Sequence, residues 1–274
     1  AIEYCLCLFQ QQHLLDFEEL VTRLQAVEVD PRRVSCRVPA QPVIAGTEVF
    51  IGEHRDPDLD PGKLQIALRW MVRHLLANAA GSFSVHKFHA DLRSQGFAVA
   101  KDTLHAFVAH LEDAFLIRTV SIATESERRR MANPRKAYPI DPGLIPIFDR
   151  SGRANLGHAL ETAVALELDR RGAEKAYVRT KDGHEVDFLA RFVDGRQELI
   201  QVCVNLEDPE TCERELRALR GAALEHPRAK RCIIALDPVS GPGNLEPLGT
   251  PVRGVSETCR YFLNLVMLNP GGFG

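Results

Sequence analysis

Glu185-Val-Asp-Phe-Leu-Ala-Arg-Phe-Val-Asp-Gly-Arg-Gln-Glu-Leu-Ile-Gln-Val-Cys-Val204 contains two strand-like runs, 185 to 192 and 197 to 204. A third run, 175 to 179, lies just before them, and a helical pattern over 156 to 171 precedes all three. On the other side come a helix at 209 to 225, a strand at 231 to 236 and a final strand-plus-helix at 251 to 267. This αβββαβ series predicts an α/β domain, a mixed sheet flanked by helices, over residues 151 to 274. The boundary is drawn near Ser151-Gly152.

Upstream, residues 64 to 150 read differently. Leu64, Ala67, Leu68, Met71, Val72, Leu75 and Leu76 repeat at helical spacing, and Gly81 follows as a stop signal. Ser84 caps a second helix through Phe88 and Leu92 that ends near Gly96. A third helix starts near Asp102 or Thr103, with Leu104, Phe107, Val108 and Leu111 as its buried stripe. Phe115 to Ala123 then alternates as a strand, and Ala137-Tyr-Pro-Ile140 is its returning partner. Three helices followed by strand, loop and strand are the order of a winged helix. The intervening loop, Glu125 to Lys136, carries Arg128, Arg129, Arg130, Arg135 and Lys136 with no acid after Glu127.

Residues 1 to 63 are unassigned: an amphipathic helix or helical hairpin over 1 to 30, then a Pro-rich stretch with β-rich runs 34 to 38 and 48 to 52. Hydrophobic residues make up 45% and charged residues 26% of the 274, the composition of a globular protein and not of a disordered one. A net charge of -3 excludes a globally basic nucleic-acid coat, so any nucleic-acid surface has to be local. No apolar stretch is long enough for a bilayer, and Glu3 stands where a signal peptide carries a base, so the expectation is a cytoplasmic protein with no membrane partner. Seven scattered cysteines do not form a secreted disulfide framework, and reduced thiols are expected.

Two groups of residues carry chemistry. The basic loop reaches phosphates or a minor groove in a winged helix, while the third helix offers Lys101, Thr103, His105 and His110 to the major groove. The second group is Glu161, Asp187, Gln201 and Cys203. Spacing of i, i+2 puts Gln201 and Cys203 on one strand face, with Asp187 approaching from the adjacent strand and Glu161 above. A P-loop needs G-x-x-x-x-G-K followed by Ser or Thr, yet Gly62-Lys63 has Pro57 in place of the first Gly and Leu64 after the Lys, so no nucleotide site of that kind is expected. Cys5-x-Cys7 with Cys36 lacks four-ligand zinc spacing, and His184-Glu185 is not an H-E-x-x-H motif because Phe188 replaces the second His.

Leu156-Gly-His-Ala-Leu-Glu161, Glu185-Val-Asp-Phe188, Leu199-Ile-Gln-Val-Cys203 and the helix from Thr211 to Leu219 resemble the C-terminal PD-(D/E)XK nuclease-like domain of prokaryotic AAA-type ATPases, a domain of unknown function. Residues Phe83-Ser84 to Leu116-Ile117 and Lys136-Ala-Tyr-Pro-Ile-Asp141 are similar to the winged helix that precedes it, and the likeness spans about residues 64 to 260. The resemblance implies a fold in which carboxylates hold Mg²⁺ or Mn²⁺ and a Lys activates water for phosphodiester hydrolysis. Glu161 and Asp187 match the metal positions. The sequence departs at Gln201, usually an acid, and at Cys203, usually the Lys. Arg179, Lys181 and Arg214 are then the candidates for a substitute cation. The resemblance therefore implies a DNA-binding protein with a degenerate nuclease-like domain, working beside an ATPase domain or subunit. An active metal-dependent nuclease and a protein-interaction module without DNA affinity are the alternatives.

Overall fold

The computed structural model describes residues 61–148, 156–204, 206, 208–236 and 252–254, with the short strands at 28–29, 35–37 and 49–50. The expected helix over 1 to 30 lies outside the described residues except at Glu28–Val29, which form a strand and not a helix, and the boundary at Ser151-Gly152 and the helical part of 251 to 267 lie outside them too. The fold is mixed α/β. The two β-rich runs of the Pro-rich stretch pair with each other: β2 (Ser35–Arg37) runs antiparallel to β3 (Val49–Phe50) and to β1 (Glu28–Val29). No helix among the described residues is long and apolar enough to cross a membrane.

The chain divides into two compact units, Ala1–Val72 with Val85–Asp113, and Arg73–Ser84 with Ala114–Gly274. Helix α1 (Pro61–Ala77) begins in the first and ends in the second. Within the first unit, α2 (Val85–Ser94) buries Phe88 and Leu92, and α3 (Lys101–Asp113) buries Leu104, Phe107, Val108 and Leu111. Gly96 ends α2 at φ +84. Its N–H donates to Arg93 C=O and the Phe97 N–H to Leu92 C=O, the paired bonds of a left-handed C-cap.

The second unit holds two sheets. β4 (Ser82–Phe83), β6 (Arg135–Pro139) and β5 (Ile117–Val120) form one, in that order and antiparallel, with β6 in the middle. The expected loop between β5 and β6 is instead a short helix, α4 (Glu127–Ala132). Arg, Met, Ala and Glu are good helix formers, Ser126 Oγ accepts the Arg129 N–H at 3.3 Å, and Glu127 and the two arginines complement the helix dipole. A short 3-10 turn (Pro142–Leu144) leads into α5 (Ile145–Phe148).

The larger sheet has the order β11-β10-β9-β8-β7, from β7 (Glu174–Arg179), β8 (Glu185–Arg191), β9 (Gln197–Cys203), β10 (Lys230–Ala235) and β11 (Val252–Gly254). β7, β8 and β9 pair antiparallel, while β9, β10 and β11 pair parallel, as the αβββαβ reading requires of a mixed sheet. Helix α6 (Leu156–Arg170) covers one face. Ala159, Ala163 and Ala165, all small and at most 1% exposed, let its backbone approach closely. Helix α7 (Pro209–Glu225) covers the other face, entered through an Asp208 cap and Pro209 in the first turn. Leu199, Cys203, Cys212, Leu216 and Leu219 pack in the α7 core, and Val164, Leu168, Phe188 and Ile200 in the α6 core.

β8 contains an irregularity. Its register on β7 changes from Val178↔Val186 to Ala176↔Leu189, so three steps on β8 oppose two on β7. One extra residue is thereby inserted at Asp187-Phe188, and the alternation of faces slips by one. At the outer side of β7, Ser121–Ala123 runs alongside: Tyr177 N–H donates to Ser121 C=O and accepts from Ala123 N–H at its own C=O, a parallel bridge centred on Ile122.

Candidate functional site

Strand β6 carries Lys136 and Tyr138 two residues apart, hence on one face of the middle strand of the small sheet. Helix α6 brings Glu161 to them. Lys136 Nζ donates to Glu161 Oε1 at 2.9 Å and to Asp187 Oδ1 at 3.1 Å, and lies 3.0 Å from Glu185 Oε1. Tyr138 Oη donates to the same Glu161 oxygen at 2.8 Å, and Asp187 Oδ2 accepts the Val202 N–H at 2.9 Å. Strict alternation would have turned Asp187 toward Leu189 and the α7 core. The bulge in β8 turns it toward α6, where Glu161 is.

The cluster is nearly sealed. Lys136 is 4% exposed and Asp187 8%, whereas Glu185, at the start of β8, is half-buried and shares its carboxylate with Arg179 at 3.3 Å. Two cations, Lys136 and Arg179, therefore face three carboxylates. Burial and the neighbouring Asp187 charge push the Glu161 carboxyl up to about 7, against the pull of the Lys136 ammonium. Burial opposes the charge on Lys136, but Asp187, Glu161 and Glu185 overcome it and hold the ammonium protonated well above the usual lysine range. Burial, and then the Glu161 charge, raise the Tyr138 phenol far above its ordinary value, so it stays a donor.

Of the four residues expected to form the site, Glu161 and Asp187 meet. Cys203 packs with Leu206, Cys212 and Leu216 against α7, and Gln201 shares its strand face by i, i+2 spacing. Gln201 is 6% exposed and its Oε1 has no hydrogen-bond partner. Among the expected substitute cations, Arg179 reaches the cluster only through Glu185, Arg214 pairs with Glu215 at 2.6 Å, and exposed Lys181 bonds Glu225 through its backbone N–H. The cation that does enter is Lys136. It was grouped by sequence with the exposed bases of the loop; the structure corrects this, because it is the first inward residue of β6, held by three carboxylates. Its signal lay in Lys136-x-Tyr138, two polar-tipped residues on one strand face.

The remaining basic residues separate as well. Arg128, Arg129 and Arg130 lie exposed on α4, and Arg135 is exposed at the start of β6. Arg130 is held by Glu127 at 3.1 Å and by the Thr124 carbonyl at 3.1 Å. Ion pairs to Arg128, Arg129 or Arg135 are absent among the described residues. In the first unit Lys101 and His105 are exposed on α3, but Thr103 is 9% exposed and belongs to the helix's inner stripe, which corrects its assignment as a base contact. His110 is partly buried, and its Nδ1 has no partner.

The resemblance implies Mg²⁺ or Mn²⁺ between Glu161 and Asp187, and the residues present do not fit it. An ammonium already stands at hydrogen-bonding distance from both carboxylates, and oxygens about 3 Å from that centre are too far out for Mg²⁺, which requires roughly 2.0–2.1 Å. Among the described residues no group of three or more His, Cys, Asp or Glu is arranged to hold a metal ion.

No family model matches the chain, and no curated protein or solved structure matches it either.

Proposed function

We propose that this chain binds DNA, and that it combines a winged helix with a PD-(D/E)XK nuclease-like domain whose catalytic centre has become a structural ion cluster. The observation that carries the reading is Lys136 Nζ, bonded to the two carboxylates that would hold the metal. An ammonium has three protons, and three carboxylate oxygens lie within 3.1 Å of this one. Two of those protons bond Glu161 and Asp187 while Glu185 draws on the same charge, and a divalent ion beside the ammonium would meet strong charge repulsion. Hydrolysis is therefore disfavoured, and binding is the activity left to the nuclease-like surface. Exposed Arg128, Arg129 and Arg135 support phosphate contact from one short stretch of an otherwise acidic chain. The association with an ATPase, in the same protein or a partner subunit, rests on the resemblance alone.

The reading is tested by mobility shift of duplex DNA at about 50 mM salt. Wild type retards the duplex, and the variant R128A/R129A/R135A loses at least tenfold in affinity; equal affinity overturns the DNA reading. Incubation with supercoiled DNA in Mn²⁺ yields no nicking. Nicking that disappears in Asp187→Ala makes the chain a nuclease instead.

A further inference from the structure

We propose that Lys136 is the built-in cation of a former divalent-metal site: its ammonium holds the place among Glu161, Asp187 and Glu185 that a metal ion takes once the ammonium is removed. Three carboxylates contributed by α6 and β8 converge on one nitrogen at 2.9, 3.1 and 3.0 Å, and that nitrogen comes from a strand of a different sheet. Among the described residues, no cation but Lys136 bonds Glu161 or Asp187. Without Lys136, two or three buried negative charges would face each other with only Arg179 nearby. Such an arrangement persists only with a counter-ion.

The same distances explain why the ion cannot join the ammonium. A shell at about 3 Å suits N–H···O contacts, while Mn²⁺ or Ca²⁺ draws carboxylate oxygens to roughly 2.2–2.6 Å, so the carboxylates can close on a metal only when the nitrogen is gone. Lys136→Met vacates that position and little else, because Met reproduces the stem as far as Cε. The exposed flank of Glu185 gives the ion its way in. The inference rests on the nuclease-like reading for the origin of the carboxylates, not for their geometry. The two fail separately, since loss of DNA affinity leaves ion binding untouched and the reverse also holds.

The experiment is ion binding to the whole chain, followed by Mn²⁺ titration calorimetry and by thermal melting in EDTA, 1 mM Mn²⁺ or 1 mM Ca²⁺. Wild type is expected to bind no Mn²⁺ and to melt at one temperature in all three. Lys136→Met is expected to melt lower in EDTA, to regain roughly 5 °C in Mn²⁺ or Ca²⁺, and to bind one Mn²⁺ per chain. The double variant K136M/D187N loses that response. If Lys136→Met folds but binds neither ion, the proposal is overturned. If it unfolds in EDTA, refolding with either ion supports the proposal, and failure to refold with both overturns it. Mn²⁺ bound by wild type and lost in a folded Asp187→Asn shows that the ammonium does not fill the site, and also overturns it.

Discussion

Lys136 is expensive to bury, and its three carboxylates are what make the burial tolerable. Truncating one of them leaves a desolvated charge short of a partner. Asp187→Ala also strips the acceptor from the Val202 N–H, so it should destabilise the fold by roughly 3 kcal/mol, read from urea midpoints with an unchanged m-value. Glu161 behaves differently, because it is the carboxylate in excess of the cations. Its folded pKa of about 7 lies above the unfolded value of 4.5. Between those pH values the native state binds more protons than the unfolded one, so its contribution is full below pH 4.5 and is lost as pH rises through 7. Wild type should therefore lose about 3 kcal/mol at most between pH 4.5 and 8 relative to Glu161→Gln. Parallel pH profiles for the two proteins would contradict this. Glu161 and Asp187 were legible as partners from their places on a helix and a strand. Lys136 was not, since an Arg-rich neighbourhood reads as solvent-facing, and the strand expected from Ala137 begins instead at Arg135, which places Lys136 within it and facing inward.

The elements themselves were largely legible where periodicity was strong. The helix expected at 209 to 225 is Pro209–Glu225, and the strands expected at 185 to 192 and 197 to 204 are Glu185–Arg191 and Gln197–Cys203. Two features escaped for physical reasons. A bulge is invisible to an alternation argument, because the inserted residue preserves the composition of both faces and changes only which of them Asp187 joins. The helix α4 escaped because six residues give less than two turns, too few for a period, and a basic run suggests a solvated loop. Its capping bond is the checkable part. Ser126→Ala removes the acceptor for the Arg129 N–H and should melt α4 at a cost of about 1 kcal/mol or less, with weaker hydrogen-exchange protection at Arg129 and Arg130 and an unaltered ion cluster. Spread of that loss to the Val202 amide would show that α4 and the cluster are one cooperative piece.

At the scale of the molecule, charge is unevenly shared. The net charge is -3, yet Arg128, Arg129 and Arg135 sit exposed within eight residues of chain. If these residues meet phosphates, log affinity falls linearly with log salt, and R128A/R129A/R135A flattens the slope by about 0.9 for each contact removed. An unchanged slope with lowered affinity would mean that the arginines shape the surface instead of meeting phosphate. Overall composition already excluded a uniformly basic protein and pointed to a local surface. It could not say which bases are outside, because exposure depends on the register of β6 and not on how many arginines precede it.

The short run Ser121–Ala123 alongside β7 has a consequence for solubility. A strand at the end of a sheet is a row of unpaired amides ready to recruit a second molecule, and β7 would be such a strand. By engaging both backbone groups of Tyr177 in the middle of that row, the chain caps its own edge with itself. The contact that ties one sheet to the other thus also covers the middle of that edge, and a nick or insertion between β5 and α4 would leave it open to pairing with a second molecule.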